Sequence, residues 1–152
     1  MQQDPIRPAL PADEAAIRAC AHAAYGQYVT AIGRKPAPME ADFPAQIAAG
    51  HVHVAKDATG ALLGYVVFFP EAGHMHLEAV AVTPAATGKG VGRQLIRHCE
   101  EAARRAGLGA VHLYTNQKMT ANLSMYPHLG FVEVDRRSED GFDRVFYEKT
   151  VR

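Results

Sequence analysis

Tryptophan is absent, cysteine occurs twice, and the charges cancel, with 16 Lys and Arg against 16 Asp and Glu. The two cysteines, Cys20 and Cys99, fall in separate helical patterns without CxxC spacing. They point to neither a disulfide framework nor a zinc site, and both are expected buried and reduced. A chain with no net charge, and no block of basic residues interleaved with aromatics, lacks the footprint of a nucleic-acid surface. The longest apolar run, around Leu62 to Phe69, falls far short of the ~20 residues that span a bilayer. The N-terminal stretch MQQDPIRPALPAD has no apolar region of the signal-peptide kind. A soluble, cytoplasmic protein is expected, with neither nucleic acid nor membrane as a partner. Repeats, low-complexity tracts and composition shifts are also missing. At 152 residues and 48% hydrophobic content, one core can be filled, so residues 1–152 are expected to form a single domain.

What is present is an alternation of strands and helices. DPIRPAL reads as a short edge strand, because its prolines are tolerated only at an edge. Ile17, Cys20, Ala21, Ala24, Tyr25 and Tyr28 recur at helical spacing. IGRKPAPM breaks that helix, and a second short one is predicted from Glu40 to Ala49, ending at Gly50. HVHVAKD and ALLGYVVFFP form a hairpin across DATG, and PEAGH turns into a further strand, MHLEAVAV. Leu95, Cys99, Ala102, Ala103 and Ala106 then mark a helix stopped by Gly107. AVHLYTN follows as a strand, and TANLSMYPHLG as a short helix capped by Thr120. FVEVDRR and DRVFYEKT close the chain as a hairpin across SEDG. The count is about seven strands and four helices. Met75 to Asn116 is a βαβ unit, so its two strands should run parallel while the hairpins are antiparallel.

Between that strand and its helix lies TGKGVG, residues 87–92, with glycines at alternate positions. Glycine there leaves backbone N–H groups free to point outward at the positive end of a helix, an arrangement suited to an anion or to a plain flexible connection. The stretch is not a P-loop: the first glycine of GxxxxGK is missing, and Gly90 stands where Ser or Thr belongs. Nor is it a dinucleotide fingerprint, because Arg93 occupies the third glycine position and no acidic ribose partner follows.

In order and motif the chain resembles the GNAT superfamily of acyl-CoA-dependent N-acyltransferases over nearly its whole length. The family's pyrophosphate signature is Arg or Gln, two residues, Gly, one residue, then Gly or Ala; Thr87 to Gly92 match it except at Thr87. A second block, Asn-x3-Tyr-x3-Gly-Phe, is met by Asn122, Tyr126, Gly130 and Phe131. LEAVAVTP is similar to the central strand, and DGFDRVFYEK to the C-terminal strand of many members. The resemblance implies an α/β fold with a mixed, mostly antiparallel sheet and a central parallel strand pair that splays apart. It further implies acetyl-CoA as acyl donor and an N-acetyltransferase acting on the primary amine of a small molecule or peptide. Backbone groups of Val80, Ala81 and Val82 would pair with pantetheine amides, much as a peptide adds to a sheet edge. The N–H groups of Gly88, Lys89, Gly90, Val91, Gly92 and Arg93 would seat the pyrophosphate, and Thr87 would bring a hydroxyl to its cover without the reach of Arg or Gln. Lys89 and Arg93 would supply the charge that Thr87 lacks.

Acyl transfer moves two protons, one off the attacking amine and one onto the departing thiolate. By the resemblance Tyr126 is the acid, although Pro127 directly after it complicates the aim of its hydroxyl. Glu78 is the candidate base. His76 or a water is the alternative, and His76 shares the face of Glu78 unless a bulge intervenes. Asn122 would contact the cofactor or cap locally. In relatives the segment joining the first two helices overhangs the acceptor. Here Arg34 and Lys35 would pair with a carboxylate on it, and Tyr25, Tyr28 and Met39 would wall an apolar pocket. His51-x-His53 and His74-x-His76 lack further ligands at site spacing, so no metal is expected. No nucleophile elbow appears either, which leaves direct transfer from thioester to amine. The reading from another class is a non-catalytic acyl-CoA-binding module, a sensor or partner-binding domain. Exposed edge strands leave a homodimer open.

Overall fold

The computed structural model describes residues 6–151. One seven-stranded sheet organises them, in the order β1-β2-β3-β4-β5-β7-β6. Its strands are β1 (Ile6–Pro8), β2 (Val52–Lys56), β3 (Leu62–Glu71), β4 (His74–Val82), β5 (Ala110–Asn116), β6 (Val132–Glu139) and β7 (Phe142–Thr150). Every neighbouring pair is antiparallel except β4 and β5, which are parallel. The mixed sheet with one central parallel pair is therefore as expected. β1 is the edge strand foreseen for the proline-flanked segment; Asp4 and Pro5 of that segment lie outside the described residues.

Five α-helical segments join the strands: α1 (Glu14–Tyr25), α2 (Val29–Ile32), α3 (Phe43–Ala48), α4 (Val91–Arg105) and α5 (Thr120–His128). Because α2 is a single turn of 4 residues, the four longer helices correspond to those predicted. α1 and α3 cover one face of the sheet through Ile17, Cys20, Tyr25, Phe43 and Ile47. α4 and α5 cover the other through Leu95, Ile96, Cys99, Ala103 and Tyr126. Both cysteines are buried and unpaired.

Four boundaries differ from the sequence reading. The second helix begins at Phe43, because Asp42 caps it by accepting from the Ala45 N–H; Glu40 belongs to a separate 3-10 turn. Tyr28 lies in a 3-10 turn after α1. Thr120 is the first helical residue of α5, and the cap position falls on Met119, which makes no side-chain cap bond. Ala106, the last residue of the predicted stripe, caps α4 from an exposed position.

Candidate active site

The parallel pair is hydrogen-bonded in register only at Met75↔Val111 and His76↔His112. Beyond His76 the two strands separate, while β4 stays paired with β3 as far as Val82↔Gly64. Thr83 donates to the Leu63 carbonyl at 2.9 Å, which sets the alternation of that ladder. Ala81, opposite Tyr65, directs its N–H and C=O into β3, and Val80 and Val82 turn theirs to the splayed side. Ala81 therefore serves the ladder, and the open backbone expected of three residues belongs to two. The Val80 carbonyl accepts from the Tyr25 hydroxyl at 2.7 Å.

A bulge sits at the mouth of the splay. Val67 pairs with Ala79 and Phe68 with Leu77, so Glu78 is the extra residue. The bulge reverses which face the odd-numbered side chains take. Met75 and Leu77 pack toward α4, whereas Ala79 and Ala81 pack toward α1. Glu78 is left half-exposed with its Oε1 2.8 Å from His76 Nε2. That histidine bond lowers the carboxyl pKa against the opposing effect of burial, and Arg144 adds to the lowering. Glu78 is held ionised.

Tyr126 is fixed by the end of its own helix. Phe131 N–H bonds the Tyr126 carbonyl at 3.1 Å and Gly130 N–H bonds the Pro127 carbonyl at 3.0 Å, with Gly130 at φ +94°. These are the two bonds of a Schellman motif, and its apolar contact is the Tyr126–Phe131 ring pair, 5.6 Å apart and edge to face. The spacing Tyr-x3-Gly-Phe is thus a helix stop that locks the tyrosine. Pro127 lies in the last turn, where its missing N–H disturbs only the helix end. Tyr126 is 4% exposed, and its hydroxyl has no hydrogen-bond partner among the described residues. Burial raises its pKa, with Cys99 and Tyr147 adding. It stays protonated.

Glu78, Val80, Asn122 and Tyr126 line one cavity of about 170 Å3. Asn122 is anchored there by donating to Thr115 Oγ1 at 3.1 Å. Beside it a groove of about 450 Å3 is lined by Val82, Gly88, Gly90, Gly92 and Arg93 together with Met125 of α5 and Leu129 just after it. β4 and α5 wall both spaces. Gly88 and Gly90 have φ +81°, a conformation that side-chain-bearing residues rarely adopt. Gly92 does not; a Cβ there would make ordinary contact with Val82 at 3.5 Å. The first bond of α4 runs from Gln94 to Gly90. Among the described residues no partner is present for the N–H groups of Gly88, Gly90, Val91, Gly92 and Arg93. Those of Thr87 and Lys89 bond back into the preceding turn, and the Thr87 hydroxyl donates to the Thr83 carbonyl at 3.1 Å.

The segment expected over the acceptor divides. Pro36, Ala37 and Pro38 line the cavity, as does Tyr25. Tyr28, Arg34, Lys35 and Met39 do not: Met39 is buried in the α1 core. Arg34 donates to the Asp140 carbonyl at 3.1 Å and stacks on Phe142 at 4.4 Å, which straps the segment to the β6–β7 turn. His76 also stays out of the lining and acts on it through Glu78. Residues that sequence reasoning did not single out are Tyr65, Gln46, Tyr114, Asn116 and Arg144. Arg144 is 8% exposed, lies 4.3 Å over the Tyr114 ring and binds Glu139 at 2.9 Å. It follows a surface-patterned DGFD stretch, so nothing local marked it.

A family model described as the acetyltransferase (GNAT) family matches residues 17–131. Among curated proteins, the chain is 31% identical over 99 residues to the streptothricin acetyltransferase of Streptomyces lavendulae, covering 64% of this chain and 49% of that protein. It is 32% identical over 88 residues to the mycothiol acetyltransferase of Renibacterium salmoninarum, covering 54% of this chain and 26% of that protein. The chain spans less than half the length of these relatives. Among solved structures, the PaiA N-acetyltransferase of Thermoplasma acidophilum in complex with coenzyme A has a TM-score of 0.81 at 18% identity, over 98% of this chain and 99% of that one. The ribosomal-protein-S18-alanine N-acetyltransferase of Escherichia coli has a TM-score of 0.76 at 17% identity, over 97% and 94%. At such identities the likeness is one of fold. The family match runs from α1 through the glycine turn to the Gly130–Phe131 helix stop, and on it the chain belongs to the acetyltransferase (GNAT) family.

Proposed function

We propose that the protein transfers an acetyl group from acetyl-CoA to the primary amine of an acceptor by direct attack on the thioester, residues 1–152 acting as one unit. The observation that carries the reading is the pairing, in one cavity, of an ionised Glu78 with a protonated, unpartnered Tyr126 hydroxyl. Among the described residues, five N–H groups at and just before the start of α4 lack protein partners, and fixed donors at a positive helix end suit a pyrophosphate. Arg93 lines the same groove and offsets the reach lost at Thr87. The splayed backbone of Val80 and Val82 supplies the edge to which pantetheine amides would pair.

In this reading Glu78 attracts the acceptor's ammonium form and first takes one proton from it, directly or through water, which frees the nitrogen lone pair to attack the thioester carbonyl. The C–N bond forms, the C–S bond breaks, Tyr126 gives its proton to the departing sulfur, and the proton then shed by the acylated nitrogen restores the Tyr126 hydroxyl. His76 is a positioning residue: its bond to Oε1 holds the carboxylate ionised and aimed.

The test is release of free CoA thiol from acetyl-CoA across a panel of amines. Removing one proton-transfer group costs roughly 10²–10⁴ in rate, so Tyr126→Phe and Glu78→Gln are each expected to lower kcat in that range while coenzyme A still binds. Tight acetyl-CoA binding with no amine-dependent release would instead identify a non-catalytic acyl-CoA-binding module.

A further inference from the structure

Two buried polar atoms, each on a residue that lines the cavity, have no use in acetyl transfer. Tyr65, on β3, is 0% exposed, and its hydroxyl has no hydrogen-bond partner among the described residues. The buried Oε1 of Gln46, on α3, has none either. Both residues line the cavity that holds Glu78 and Tyr126. Phe43 meets the Tyr65 ring edge-on at 6.2 Å, and Gln46 lies one helical turn beyond Phe43, on the same side of α3. Buried polar groups are nearly always paired, so two orphans lining one cavity mark a place where something else completes them.

The remaining lining restricts what that is. Its charged residues are Glu78 and Arg144, and Arg144 is already bound to Glu139 at 2.9 Å and Asp140 at 3.4 Å. A carboxylate beside Tyr65 would be desolvated without a free cation. An alkyl group would leave both polar atoms unpaired. An uncharged group that donates and accepts satisfies a tyrosine hydroxyl and an amide together. Size narrows it further: about 170 Å3 is close to the roughly 150 Å3 of an engineered cavity that takes benzene. The proline strap that lines the cavity, tied down by Arg34, restricts it to something slender.

We infer that the acceptor is a small amine bearing, a few bonds from its nitrogen, a hydroxyl or carboxamide that Tyr65 and Gln46 bind. This rests on the reading that the cavity receives the acceptor. The class is that of short amino alcohols and amino amides, and Tyr65 is its specificity-determining residue.

The experiment compares acetyl transfer to matched amines of two to five carbons, each amino alcohol or amino amide against the alkylamine of equal length. A site built to bind a hydroxyl rejects the analogue lacking it, so wild type is expected to favour the polar member by about tenfold or more in kcat/KM. Tyr65→Phe deletes one unpartnered oxygen and keeps the ring, so the variant folds. It is expected to bring that ratio close to one, chiefly through KM for the polar member, and Gln46→Met is expected to lower it in part. A merely structural role for Tyr65 would slow both members alike and leave the ratio standing, which overturns the inference. Equal rates for both members in wild type overturn it too, with water then completing the pair and the acetyltransferase reading intact. Absence of thiol release with every amine removes that reading, and this inference with it.

Discussion

Gly64→Ala perturbs the tightest approach in the sheet. A Cβ on Gly64 would lie 2.6 Å from the Ala81 carbonyl oxygen, 3.1 Å from Leu95 Cδ1 and 3.3 Å from Val82 Cα. Leu95 can turn aside, but the other two atoms are backbone of β4 and no rotamer relieves them. Carbon contacts are comfortable near ~3.5 Å, so the β3–β4 ladder must open by roughly 1 Å at Ala81. Overpacking of this kind costs about 1–3 kcal/mol. For a chain of this size each kcal/mol moves Tm by about 2–4 °C. The expected fall is therefore about 2–12 °C, read by thermal unfolding followed by circular dichroism. Because the displaced stretch adjoins the Val80 carbonyl and the groove at Val82, calorimetric titration should show weaker coenzyme A binding as well. Gly26→Ala is the control: Gly26 has φ −59° and open space around its Cβ position. Loss of unfolded-state entropy should raise its stability by about 0.4–1 kcal/mol. A Gly64→Ala protein melting at or above wild type would mean that the close approach costs nothing.

Two further outcomes follow from ion pairs and the strap. Burial alone would raise the pKa of Asp13, but the Leu10 N–H, Lys56 and Arg7 outweigh it and bring the pKa to about 2; Lys56 stands at 2.6 Å and Arg7 at 3.2 Å. The folded value lies below the unfolded one of about 3.9, so this stabilisation is complete above that pH and lost as pH falls toward 2. Urea midpoints should drop through that window in wild type and less so in Asp13→Asn; identical slopes would show that Asp13 does not carry the effect. Arg34→Ala removes a surface cation–π contact and one hydrogen bond, costing stability about 0.5–1 kcal/mol. It should raise KM for the acceptor several-fold while KM for acetyl-CoA holds; an unchanged acceptor KM would mean that the strap does not shape the cavity.

Most of the scaffold was legible because its signals are local. Val91, Leu95, Cys99 and Ala103 repeat along one helix face. The final hairpin turns at Asp140 and Gly141, both at positive φ, where a DG pair belongs. Glycines at 88 and 90 announced a left-handed turn before a helix. Boundaries slipped where a neighbour decided them, as when Asp42 rather than Glu40 opened α3. Within the site, the residue types of Glu78 and Tyr126 could be named in advance, but not their state. The ionisation of Glu78 depends on His76 across a bulge, and a bulge is a property of two strands in register. Arg34 was expected to face the acceptor and instead binds a carbonyl 106 residues away.

The order of strands and helices, the parallel pair, the glycine turn and the Asn-x3-Tyr-x3-Gly-Phe block could all be read along the chain. Each follows from periodicity, turn chemistry or a motif a few residues long. Which backbone groups stay unpaired, which face β4 presents on either side of Glu78, and which polar side chains are buried without partners emerge only in the folded layers. Those are set by contacts between segments distant along the chain, Tyr25 on Val80, Tyr65 beside Phe43 and Arg34 on Asp140. No periodicity records such contacts, because pairing and burial are completed only when the layers close on one another.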